Sequence, residues 1–115
     1  MSSLRRILIV EDEPLIAMML EDFLDALDRE VAGLADSVEG ALAEIEKGGI
    51  DAAILDVNLR GGEKSWPVAD ALAAAGIPFV VATGGDSLAD GHRDRPVLAK
   101  PFTMDGVEKA IGALG

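Results

Sequence analysis

Residues 7–14 read Ile7-Leu8-Ile9-Val10-Glu11-Asp12-Glu13-Pro14, and the order of residue types within them decides the fold. Four apolar residues make a run of strand length, too short for a helix. Because the run is unbroken instead of alternating, it predicts a strand covered on both faces, as in a parallel sheet. Acids follow immediately, and then Pro14, which suits the first position of a helix. A buried strand, a pair of carboxylates and a helix start therefore stand in direct succession.

The same succession recurs downstream. Ala52 to Leu55, Phe79 to Ala82 and Val97 to Ala99 are further short apolar runs. A weaker one, Val31 to Ala35, is interrupted by Gly33 and flanked by Glu30 and Asp36, which reads as an edge strand. Helical patterns lie between the runs. From Pro14 to Asp28, Leu15, Met19, Phe23 and Leu27 form one row of period four and Ile16, Leu20 and Leu24 an adjacent one, together an apolar face. Ser37 is placed to cap a second helix with Val38, Ala41, Leu42 and Ile45 inward, ended by Gly48. A third helix is predicted from Pro67 with Val68, Ala71, Leu72 and Ala75 inward, stopping at Gly76. Thr103 caps a last one through Met104, Val107, Ile111 and Leu114. Between Gly84 and Asp94 one short or frayed helix is expected. The alternation predicts a single doubly wound α/β domain over residues 1–115, with five parallel strands and helices on both faces.

Composition agrees. A chain of 115 residues with 50% hydrophobic content is long enough and apolar enough to bury one core. With 21 acidic against 10 basic side chains the net charge is -11, which repels phosphate backbones and anionic lipid and so argues against nucleic-acid or membrane-surface partners. Zero cysteines leave neither disulfides nor thiolate metal sites and fit a reducing, cytoplasmic compartment. No signal peptide is read in the first residues, and no apolar run nears the roughly 20 residues that span a bilayer.

The polar residues concentrate where the strands end. Val10 is followed by Glu11-Asp12, Leu55 by Asp56, Ala82 by Thr83, and Ala99 by Lys100-Pro101. In open parallel sheets ligands gather beyond the carboxyl ends of the strands, and neighbouring strands lie about 5 Å apart. Three carboxylates, a hydroxyl and an ammonium are thus expected on one rim. Carboxylates that close repel by roughly 4 kcal/mol per pair at about 4 Å and an effective dielectric of 20, so a cation is required. Mg2+ suits an all-oxygen set. Asp56 beside it is placed to act as a nucleophile toward a phosphoryl group, with Lys100 and Thr83 binding the phosphoryl oxygens. Each residue alone also has a structural reading. Glu11 and Asp12 complement a helix start, Asp56 suits a loop cap, Thr83 before Gly84-Gly85 is ordinary turn chemistry, and Lys100 is a solvated lysine. It is their joint occurrence that points to chemistry.

In order, spacing and residue type, Glu11-Asp12, Asp56, Thr83 and Lys100-Pro101 resemble the receiver domain of bacterial two-component response regulators, over essentially the whole chain. The resemblance implies a flavodoxin-like sheet of order 2-1-3-4-5. It further implies that Asp56 accepts phosphate from a histidine kinase, that Asp12 ligates Mg2+ directly and Glu11 mostly through water, and that the backbone carbonyl of Asn58 is a further metal ligand. Lys100-Pro101 would be a cis peptide. Receivers usually carry Tyr or Phe three residues before the lysine, and Val97 stands there instead. Pro78-Phe79-Val80-Val81-Ala82-Thr83-Gly84 resembles the P-F-x-F-A-T-G-Y subgroup of single-domain receivers, with Val81 for its second Phe and Gly85 for its Tyr. Residues 84–94, with Gly84, Gly85 and Gly91, are the expected mobile output element.

Other features carry less. His92 in a polar stretch reads as a bystander, Trp66 as a packing or capping residue, and Gly61-Gly62 lacks nucleotide-binding spacing. The expected function is that of a stand-alone phosphoacceptor, not a conventional enzyme, served by a sensor histidine kinase or a histidine phosphotransfer protein and acting on an unknown downstream protein. A phosphate sink or a relay intermediate fits the same residues. A small Mg2+-dependent phosphatase would need a substrate pocket or cap and a second acid, for which no segment is spare.

Overall fold

The unbroken apolar run at residues 7–10 becomes strand β1 (Arg6–Val10), and it is unbroken because both of its faces are covered. The computed structural model describes residues 5–59, 62–83, 97–99 and 102–114. In these, β1 is followed by α1 (Pro14–Ala26), β2 (Glu30–Ala35), α2 (Val38–Lys47), β3 (Ala52–Asp56), α3 (Trp66–Ala74), β4 (Phe79–Thr83), β5 (Val97–Ala99) and α4 (Met104–Gly112). The strands pair in parallel in the order β2-β1-β3-β4-β5. The short helix expected between Gly84 and Asp94 lies outside the described residues.

Alternate residues of each central strand enter different layers, as a period of two requires. On one face Ile7, Ile9, Ile54 and Val80 pack with Leu20 and Leu24 of α1 and with Val107 and Ile111 of α4. On the other, Leu8, Val10, Leu55, Phe79 and Val81 pack with Ala41 of α2 and with Val68, Ala69 and Leu72 of α3. β2 is the half-exposed edge expected of it. Its pairing with β1 slips between Ile7↔Val31 and Leu8↔Gly33, leaving Ala32 as an extra residue on the edge.

The caps follow sequence logic at most ends. Ser37 Oγ accepts from the Gly40 N–H at 3.0 Å, and Thr103 Oγ1 accepts from the Gly106 N–H at 3.0 Å. Gly76, at φ 72°, ends α3 as expected. Helix α1 ends differently. Leu27 is its cap, and Asp28 takes the left-handed position at φ 64°. The Arg29 N–H donates to Leu24 O at 2.8 Å and the Asp28 N–H to Asp25 O at 3.1 Å, which is a Schellman closure with an aspartate where glycine is usual.

Three inward assignments need correction. Leu15 is 77% exposed and Ala17 is buried instead. At 3.6 residues per turn, positions two apart point to nearly opposite sides of the helix, so burying Ala17 turns Leu15 to solvent. Leu42 is 37% exposed, because Ala41 sits at the centre of the α2 contact. Ala75, following the last turn of α3, is exposed, and Ala69 takes the inward place.

Candidate functional site

The site is built at the carboxyl ends of β1 and β3. Val10 pairs with Leu55, so the residues that follow them, Glu11 and Asp56, stand at the same height at the ends of adjacent strands. The Glu11 N–H donates to Ala35 O at 2.9 Å, continuing the β1–β2 ladder one residue past the strand. Asp56 is still in the ladder, paired with Ala82, and the Val57 N–H donates to Ala82 O at 3.1 Å. Glu11 and Asp56 are 5% and 4% exposed, with Asp12 intermediate. One carboxylate oxygen from each of Glu11, Asp12 and Asp56 lies within 4.8 Å of the other two. The expected acidic convergence is therefore present.

At that separation and an effective dielectric of 20, each pair of ionised acids repels by about 3.5 kcal/mol. The donor set also fits a small hard cation. With Mg–O distances of about 2.1 Å, ligands on one octahedron stand about 3 Å apart when adjacent and about 4.2 Å when opposed, so oxygens within 4.8 Å need only a small closure or one intervening water. Glu11 and Asp12 also form part of the wall of a cleft of about 310 Å³, shared with Pro14, Ala17, Leu34, Ala35 and Asp36.

After Asp56 the chain turns back on itself. Asn58 and Lys64 form an antiparallel bridge, flanked by Ser65 N–H to Val57 O at 3.0 Å and Leu59 N–H to Glu63 O at 2.7 Å. The Asn58 N–H points to Asp56 Oδ1 at 3.4 Å, and Lys64 Nζ donates to Asn58 Oδ1. Glu63 Oε1 accepts from the Val38 N–H at 3.0 Å, which adds an anchor at the start of α2. Lys64 and Glu63 carry no signal in the sequence pattern, since only the return of the loop brings them to the site.

Of the remaining candidates, Thr83 is the last residue of β4 and pairs with Ala99 of β5. The register puts Thr83 one position beyond Ala82, the partner of Asp56. Lys100, which follows Ala99, lies outside the described residues, as do Pro101 and His92. Trp66 opens α3 and packs against its core layer. No helix among the described residues is long and apolar enough to cross a membrane.

Comparison with known proteins decides the family, because the sequence model of the response regulator receiver domain matches residues 7–111. The chain belongs to the response regulator receiver domain family. As a receiver it is similar to SdrG from Sphingomonas melonis Fr1, whose solution structure superimposes with a TM-score of 0.90 at 72% identity, covering 99% of this chain and 98% of that one. The BeF3-activated conformation of SdrG gives a TM-score of 0.84 at 71% identity, with 99% and 98% covered. It is also 34% identical over 112 residues to the phyllosphere-induced regulator PhyR of Methylorubrum extorquens, with 91% of this chain covered. The receiver spans only 41% of that relative's length. The relationship confirms both the flavodoxin-like fold and its strand order.

Proposed function

We propose that this receiver is a phosphoacceptor of a two-component pathway, charged on Asp56 in an Mg2+-dependent reaction. The observation that carries the proposal is the meeting of Glu11, Asp12 and Asp56 oxygens within 4.8 Å at the carboxyl rim of the sheet. A carboxylate oxygen of Asp56 attacks phosphorus of a phosphohistidine, the P–N bond breaks, and the departing imidazole nitrogen keeps the electron pair and takes up a proton. The donor is a sensor histidine kinase or a histidine phosphotransfer protein.

Glu11, Asp12, Asp56 and the backbone carbonyl of Asn58 would hold Mg2+, which when bound offsets the charge of the acids and of the phosphoryl oxygens. Thr83 and Lys100 bind those oxygens, one as a hydroxyl donor and the other as a point charge. Similarity to a protein with a BeF3-activated conformation supports this reading, since BeF3 on a carboxylate oxygen has the tetrahedral shape of a phosphoryl group.

The whole chain, residues 1–115, acts as one receiver unit in the cytoplasm. It turns over only its own acyl phosphate, and it signals through a change in the Thr83 to Asp94 region that another protein reads. One PhyR relative is described as an anti-anti-sigma factor, and a regulatory protein is the corresponding class of target here.

Incubation with Mg2+ and a small acyl phosphate, followed by intact mass and peptide mapping, tests the assignment. A single added phosphoryl group on Asp56 is expected, absent in Asp56→Asn and absent when the cation is chelated. A label on any other residue would defeat it.

A further inference from the structure

We infer that Lys64 is a positioning residue for the cation-binding end of the site, holding Asn58 in place against Asp56 through the Asn58 side chain. The inference rests on the reading of the site given above. Asn58 has left the β3 ladder, and its N–H contact to Asp56 Oδ1, at 3.4 Å, is longer than a good hydrogen bond. That contact alone does not fix the backbone whose carbonyl would face the ion. The return leg of the loop does. Lys64 faces Asn58 across an antiparallel bridge whose backbone bonds are made by the flanking Ser65 N–H to Val57 O and Leu59 N–H to Glu63 O, and its ammonium donates to Asn58 Oδ1, a charge-assisted bond stronger than a neutral one. The neighbouring Glu63 is tied to the start of α2 through the Val38 N–H at 3.0 Å. Lys64 therefore grips Asn58 from a strand-like segment that is itself anchored on a second element.

An alternative role for Lys64 is that of a plain counter-charge to the acids. The two roles predict opposite signs. An ammonium acting only through its charge competes with a divalent cation, so its removal should tighten Mg2+ binding. An ammonium that positions a ligand helps the cation, so its removal should loosen binding.

Isothermal titration of Mg2+ into the unphosphorylated full chain separates them. Lys64→Met is expected to weaken Mg2+ binding about threefold, less than the tenfold lower end for outer-shell partners, because Lys64 is exposed. Lys64→Arg, which keeps a charged donor, should restore most of the loss. Lys64→Met added to Asn58→Ala should cost nothing beyond Asn58→Ala alone, because the lysine acts through that side chain. Circular dichroism of each variant confirms that the fold is kept, and Lys64→Gln provides a second neutral variant. Unchanged or tighter binding in Lys64→Met, or a further loss in the double variant, overturns the inference while the phosphoacceptor reading stands. A wild-type chain that binds no Mg2+ removes that reading, and the inference with it.

Discussion

The backbone N–H of Glu11 donates to the carbonyl of Ala35 at 2.9 Å, so the residue that begins the acidic cluster is also the last rung between β1 and β2. Its position is set by the sheet and not by a loop. The same holds for Asp56, which pairs with Ala82 in β4. The ladder fixes the backbones from which these two buried carboxylates project and so limits how far they can separate, which makes the cluster a place where charge and stability are linked.

Without a divalent cation, Asp56→Asn should be more stable than the wild type. The substitution removes one of three charges within 4.8 Å with little change of shape, and about 1 kcal/mol of relief is expected after solvent screening. For a domain of this size that is roughly a 4 °C rise in Tm. Thermal melts in a chelating buffer check it, and a lower Tm would contradict the crowding of charge described above.

Mg2+ should stabilise the wild type and leave Asp56→Asn nearly unaffected. At about 100 times its dissociation constant, a ligand that binds only the folded state adds about 2.7 kcal/mol. Melts across an Mg2+ series should therefore show a concentration-dependent Tm in the wild type that chelation reverses.

Leu72 and Leu15 are both helical leucines, yet they should respond differently to truncation. Leu72 is fully buried under the sheet, whereas Leu15 is mostly in water. Leu72→Ala is expected to cost about 2–4 kcal/mol and Leu15→Ala less than about 0.5 kcal/mol. Urea unfolding of the two variants gives the comparison directly.

Asp28→Gly should stabilise the chain by about 0.5–1 kcal/mol. Asp28 sits at φ 64°, a conformation that glycine adopts without steric cost. Asp28→Val, with a branched side chain at the same φ, should be destabilising by more than that. Chemical denaturation at one pH measures both.

Much of this is legible in the sequence itself. The apolar runs at 7–10, 52–55 and 79–82 are buried on two faces, so their pattern could hardly mean anything but central parallel strands. The acids at 11, 12 and 56 follow directly on such runs, and a parallel register brings them together. Other features depend on long-range geometry that no local period encodes. The outward turn of Leu15 depends on which side of the first turn of α1 meets the core, and that is the side of Ala17. Asp28 closes a helix without the glycine that would announce it. The contact of Lys64 with Asn58 requires the loop after β3 to double back, and its residues show neither alternation nor a turn signature specific enough to reveal that path.

The irregular pairing of β2 has a consequence for how copies of the molecule meet. An exposed outer strand offers unpaired amides to any other strand that drifts by, and such edges seed aggregates. Here the extra Ala32 breaks the spacing of that edge. With a charge of -11 adding mutual repulsion, that margin of the sheet is a poor template for fibrous growth, and the protein should remain dispersed when concentrated.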